Sequence, residues 1–258
     1  MEEQLGAELF QRRDKGLVLT ETGTSLLTAA RAMRLAAHEI ELRAAGRAEK
    51  LEGTVRLSAS VAVSVHHLPA MIAAARVKEP LISLELVSND LSSNLHFREA
   101  DIAVRMYRPT QLDLVTLHLG ELKLGVFASR GYIARRGVPR TAEELLEHEV
   151  IGMDKNPQII EGFRRAGFDV SRELFKVRTD DSEAYWALCT AGCGIGFGQK
   201  TIGRKYPDLQ EVALDLNLPH LPVWLTAHET VLQQPRVRRI WDILTEDFRE
   251  LCEGDANG

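Results

Sequence analysis

TVRLSASVAVSVHHLPAMIAAARVKEPLISLELV (54–87) is the stretch on which the choice of fold turns. Residues 54–60 read as a strand, 65–77 as a helix and 81–87 as a second strand. That order is the unit of a mostly parallel α/β sheet with right-handed crossovers. Working outward, the alternation continues to the end of the chain. A short helix is expected over 91–98, and strands over 101–105 (DIAVR), 114–119 and 123–129. Helices near 141–147 and 157–165, a strand at 174–179, a helix at 182–191 and a strand at 194–197 come next. Strands at 209–214 and 223–229 precede a closing helix at 236–252. Pro109 and the cluster Pro207, Pro219 and Pro222 break the pattern twice. Two breaks predict a chain that leaves one lobe, builds a second and returns. Lobe I then takes about 54–108 and 215–252 and lobe II about 110–212, within a domain over 53–258.

Upstream, residues 22–51 are rich in alanine, leucine, arginine and glutamate, all good helix formers. Apolar side chains fall at Leu26, Ala30, Met33, Ala37, Ile40 and Ala44, spaced 4, 3, 4, 3, 4. This is a heptad seam more than a broad globular stripe. Such a helix would run on the order of 40 Å. It either lies on its own domain or pairs with a second chain. Residues 1–21 carry a basic knot, Arg12, Arg13 and Lys15, between two short apolar runs. Asp14-Lys15-Gly16 is turn chemistry, so a hairpin is expected there. Residues 2–5 followed by Gly6 read as the tail of a helix with a glycine stop.

The whole chain has 258 residues, a formal net charge of −5, 45% hydrophobic and 27% charged side chains. This composition excludes disordered and collagen-like classes. No apolar run reaches the roughly 18 residues of a membrane span, and no export signal leads the chain, so a cytoplasmic protein without a membrane partner is expected. Three cysteines, Cys189, Cys193 and Cys252, make no disulfide framework. Catalytic motifs are missing: there is no nucleophile elbow, no HExxH and no phosphate loop. The run GCGIGFG (192–198) follows a helix and enters a strand, the reverse of a dinucleotide loop, and reads as a helix stop plus a strand needing close backbone approach. Cys189 and Cys193 lack a histidine to complete a zinc set. His66 and His67, being adjacent, point different ways on a helix. No catalytic residue, metal or cofactor is assigned.

LGAELFQRRDKGLVLTETG (5–23) resembles the end of the winged helix-turn-helix of LysR-type transcriptional regulators, whose wing reads LFxRR…LxLTxxG. GTVRLSAS (53–60), DIAVR (101–105) and AGCGIGF (191–197) stand in the order of similar elements in that family's effector domain. The resemblance implies a two-lobed fold like that of type 2 periplasmic binding proteins, with a ligand cleft between the lobes. It makes residues 22–51 the dimerising linker helix and 1–21 a remnant of the DNA-binding domain. It places effector-binding groups at Ser60, Ser64, Arg105, Ser129, Thr179 and Asp180; the alternative for each is a turn or cap residue, as Asp180 with Glu183 three later resembles a capping arrangement. Arg105 leans toward a carboxylate effector. Arg12, Arg13 and Lys15 suit phosphate contacts. The family's DNA-reading helix precedes the wing, and only its end, Met1 to Leu5, is expected here. The chain as it stands should therefore bind DNA weakly, the full N-terminal domain being needed, and assemble as a homodimer or tetramer. A cytosolic small-molecule-binding protein without DNA contact is the alternative.

Overall fold

The computed structural model describes residues 2–13, 16–26, 29–30, 33, 51–90, 100–110, 114–214 and 216–257. The chain opens with α1 (Glu2–Leu5), stopped at Gly6 with φ +61°. The hairpin β1 (Phe10–Arg13) and β2 (Gly16–Leu19) pairs Arg13 opposite Gly16 and Phe10 opposite Leu19. Thr20 explains the residues that follow it. Its hydroxyl donates to the Glu8 carbonyl at 2.7 Å and accepts from Gly23 N at 2.9 Å. Any side chain at Gly23 would strike the Leu9 carbonyl, so a glycine three residues after the threonine is a steric requirement. Residues 21–26, 29–30 and 33 are helical.

Lobe I is built on a five-stranded sheet in the order β4-β3-β5-β12-β6. Its strands are β3 (Gly53–Ala59), β4 (Ile82–Ser88), β5 (Ile102–Arg105), β6 (Leu114–Leu122) and, after a long excursion, β12 (Leu221–His228). β3 runs parallel to β4 and β5, whereas β12 runs antiparallel to β5 and β6. The sheet is thus mixed, not mostly parallel, because the returning strand enters from the opposite end. β6 also moves the expected lobe boundary. It pairs with β12 in lobe I, so the chain crosses at Lys123 and not at Pro109.

Between β3 and β4 the expected single helix is two. α2 (Val61–His66) starts at once from Ser60, whose hydroxyl caps Val63 N, and α3 (Leu68–Lys78) follows. Pro69 at the start of α3 has no N–H to continue the first helix, which forces the break at His67. Short α9 (Glu229–Leu232) and long α10 (Pro235–Asn257) close the lobe. Val237, Ile240, Trp241, Leu244, Phe248 and Cys252 form the buried stripe of α10 and pack on Val55, Leu57, Ile102, Val104, Val223 and Leu225. Full burial of such side chains stabilises by about 1.5–3 kcal/mol each. The helix expected over 91–98 lies outside the described residues.

Lobe II contains β7 (Leu124–Ser129), flanked antiparallel by β10 (Gly196–Gln199) and β11 (Leu209–Glu211). β8 (Ile151–Gly152) pairs parallel with β9 (Val177–Arg178), and a parallel bridge from Val150 to Ile195 joins them to the rest. Its helices are α4 (Arg130–Arg136), α5 (Ala142–Leu146), α6 (Gln158–Arg165), α7 (Ser182–Thr190) and α8 (Lys200–Gly203). The run 192–198 is a close-approach segment. A Cβ on Gly196 would stand 3.0 Å from the Tyr185 ring, one on Gly198 would enter the Trp186 ring, and one on Gly194 would meet the Glu149 carbonyl. No helix among the described residues is long and apolar enough to cross a membrane.

Gly194→Ala drives a methyl group into main chain that cannot step aside, and should cost about 1–3 kcal/mol of unfolding free energy. Gly162→Ala, in an open helical position of α6, should instead gain up to about 1 kcal/mol. Urea denaturation of both variants checks this, and equal stability of the two would contradict the packing described for 192–198.

Candidate effector site

The two lobes meet along α2. Val63 of this helix belongs to the lobe I core, while Ala62 packs against the lobe II cluster of Phe127, Ile151, Tyr185 and Trp186. His66 Nε2 stands 3.0 Å from Glu183 Oε1 in the first turn of α7. His67 Nε2 stands 2.8 Å from Gln199 Oε1. An amide oxygen only accepts, so Nε2 carries the proton in that tautomer. The pKa of His67 is pushed down to about 4, chiefly by burial, against the Gln199 acceptor that raises it.

Lobe I gathers three of the expected ligand positions around the C-terminal ends of β3 and β5. The Ser60 hydroxyl is used as the cap of α2. Ser64 lies inside that helix, not on the turn before it. It is buried, and its Oγ has no hydrogen-bond partner. Arg105 donates to the Ser58 carbonyl at 3.2 Å, to Ser58 Oγ at 3.1 Å and to the Val104 carbonyl at 3.0 Å. Burial lowers its pKa from the ordinary arginine value. A residue that composition did not single out is Asp90, whose carboxylate accepts from Val61 N at 2.9 Å. The first N–H of α2 is therefore already matched to an anion of the chain itself.

In lobe II, Thr179 and Asp180 precede α7, but the cap is Asp181, which accepts from Ala184 N at 2.7 Å. Asp180 does not pair with Glu183 as a cap. Its carboxylate instead gathers the N–H groups of Asp154, Lys155 and Asn156. Desolvation would raise its pKa, but these three donors together hold it below the usual value. Thr179 Oγ1 accepts from Asp181 N at 3.1 Å.

Ser129 stands apart from this group. It caps α4, a helix not expected from the sequence, and lines a hollow of about 210 Å³ with Arg130, Thr190, Gly192 and Asp208. Thr190 and Gly192 mark the far end of α7, nine residues long, and about 13 Å from Asp180 at 1.5 Å per residue. Ser129 thus belongs to the outer end of lobe II. Ser129 as cap, Arg135-Arg136 in the last turn and Gly137 after it are the helix signals that mark α4.

Of the other expected residues, Arg12 and Arg13 lie on β1, and Lys15 is outside the described residues. Leu26, Ala30 and Met33 are exposed, Met33 at 72%, while Ala37, Ile40 and Ala44 lie outside the described residues. Cys189 is buried with its thiol pushed up to about 12, first by desolvation, and is inert. Among the described residues, no group of three or more His, Cys, Asp or Glu could hold a metal ion.

Two α/β lobes joined by crossing strands, with a helix of one abutting a helix of the other, define the substrate-binding architecture of ligand-sensing regulators. The family model described as the LysR substrate binding domain matches residues 48–249. The transcriptional regulator CrgA of Neisseria meningitidis serogroup B is 30% identical over 98% of this chain and 86% of its own length. The Mau operon transcriptional activator of Paracoccus denitrificans is 26% identical over 99% of this chain and 86% of its own. The solved CrgA structure superposes with a TM-score of 0.67 at 22% identity, over 96% of this chain and 86% of that one. The chain belongs to the LysR family of transcriptional regulators and carries its effector-sensing part.

Burial of His67 has a consequence for stability. The unfolded chain takes up its proton near pH 6.5 and the folded chain only near 4. Its contribution is complete above about pH 6.5 and is lost on acidification through that window, by about 3 kcal/mol at most. His67→Asn should show a flatter stability profile between pH 7 and 4 in denaturant titrations, and parallel profiles would contradict the burial of a neutral imidazole.

Proposed function

We propose that this chain senses a small effector in the cleft between its lobes, dimerises through residues 22–51, and works in the cytoplasm as part of a DNA-bound regulator. The observation that carries the reading is the position of α2. It begins at Ser60, where β3 ends, and ends on lobe II through His66 and Glu183, so a ligand bound at its start would bear on the lobe contact at its end. Ligand that fits one lobe angle better shifts the population toward it. Arg12, Arg13 and Lys15 are the basic groups suited to phosphate contacts, the sequence-independent share of DNA binding.

The effector chemistry is narrower than a lone arginine suggested. Asp90 occupies the first N–H of α2, and Arg105 is engaged with Ser58. A neutral polar molecule suits this end of the cleft better than a carboxylate, which would have to displace Asp90. The Ser64 hydroxyl is buried and has no protein partner, so a ligand reaching beneath α2 would give it one.

Two outcomes are expected. A ligand found by thermal-shift screening of small amides, polyols and carboxylates should bind Ser64→Ala roughly tenfold or more weakly by calorimetry, for the loss of one buried contact of about 1–3 kcal/mol. Binding equal to the parent would remove Ser64 from the site. Met33→Lys places a charge in an exposed seam position and should dissociate the dimer at micromolar concentration without changing the melt of the α/β domain. An unchanged dimer in sedimentation velocity would contradict pairing through this helix.

A further inference from the structure

Two neighbouring histidines join α2 to lobe II, and they do so in different ways. His67 is buried, as is Asp255 near the end of α10. Around them the first crossing is tied down. Lys123 N donates to Asp255 Oδ2 at 2.5 Å, Lys200 N donates to the Lys123 carbonyl at 2.9 Å, and Gln199, next in line, meets the His67 ring. These contacts sit at the crossing itself. Rotation of one lobe about the crossing leaves them in place, as expected of a hinge.

His66 lies about 100° further round the helix, on the face that Ala62 also presents to lobe II. Its Nε2 reaches Glu183 Oε1 at 3.0 Å, and the Tyr206 ring stands edge-on at 5.9 Å. Lys205 Nζ donates to the His66 carbonyl at the end of α2, where a helix leaves its last carbonyls open to a cation. Glu183 is not needed as a cap, since Asp181 serves α7. Its side chain is 35% exposed. Contacts that end on a partly exposed carboxylate or ammonium are weak and reversible. Their side chains on lobe II, Glu183 and Lys205, reach solvent, unlike the buried His67–Gln199 contact beside them.

We propose that His66, Glu183 and Lys205 form a latch that holds the lobes at one angle, with the buried knot of His67, Gln199, Lys123 and Asp255 as the pivot, and that the latch opens when the occupant of the cleft favours another angle. The second half rests on the reading of the cleft as the effector site. The latch itself is a property of the ligand-free chain, so its test can fail while effector binding stands.

The experiment measures lobe separation by electron double resonance. Spin labels go on Arg164→Cys in α6 and Arg249→Cys in α10, both exposed, in a Cys193→Ser background that leaves only the buried cysteines. Labelled chain is diluted into unlabelled chain so that only pairs within one molecule count. The parent should give one narrow distance. Glu183→Ala and Lys205→Ala should each add a second, resolved distance, and the double variant should add no third, because the groups act as one unit. Glu161→Ala, an exposed change on α6, should leave the distribution alone. A single unchanged distance in both latch variants overturns the proposal. Near-ultraviolet circular dichroism confirms folding, and if Glu183→Ala fails it, Lys205→Ala, a change at an exposed side chain, decides.

Discussion

Everything in this molecule depends on one strand arriving late. β12, residues 221–228, fills the slot between β5 and β6, and neither of those strands has another partner on that side. Until it arrives, the lobe I sheet is split and the core against α10 is open. The pairing joins segments on the order of a hundred residues apart, which is costly in loop-closure entropy and slow to form. Lobe II is therefore an excursion clamped at both ends. It has its own core around Phe127, Tyr132, Phe175 and Ile195. Its freedom relative to lobe I is set by the crossing at Lys123, the return before Leu221 and the contacts of α2 with lobe II.

That constraint also accounts for where the sequence was readable and where it was not. Strands at 53–59, 82–88 and 102–105 and the long closing helix carry local patterns that their surroundings reinforce, and the reading agrees with the fold there. The GCGIGFG run was legible for the same reason, since glycines at close approach leave a local mark. The direction of β12 was not legible, because strand polarity is set by the route through lobe II and not by the strand's own residues. The lobe boundary slipped with it. Pro109 looked like a break and is a buried residue after β5, whereas the chain crosses at Lys123, between two strands that read as lying in one lobe.

The site was legible in part. Ser60 was read as a turn residue and caps the helix that meets lobe II, and Arg105 was read at the end of its strand. What failed was the sense of what each group already binds. Asp90 on Val61 N, Asp180 on the loop at 154–156 and Arg105 on Ser58 are tertiary pairings. Sequence spacing carries no trace of them. They leave the groups that looked ready for an anion already engaged within the chain. His66 and His67 show the same limit from the other side. Their adjacency suggested divergence, but only the fold reveals that both point across the lobe boundary to different partners.

Ligand held between the lobes must be felt by both. Amide hydrogen exchange read by mass spectrometry, with and without a ligand that shifts the melt, addresses this directly. The account predicts that one ligand slows exchange together at 59–66 in lobe I and at 152–156 and 179–185 in lobe II. Protection confined to a single lobe, or to the hollow beside Ser129, would contradict it.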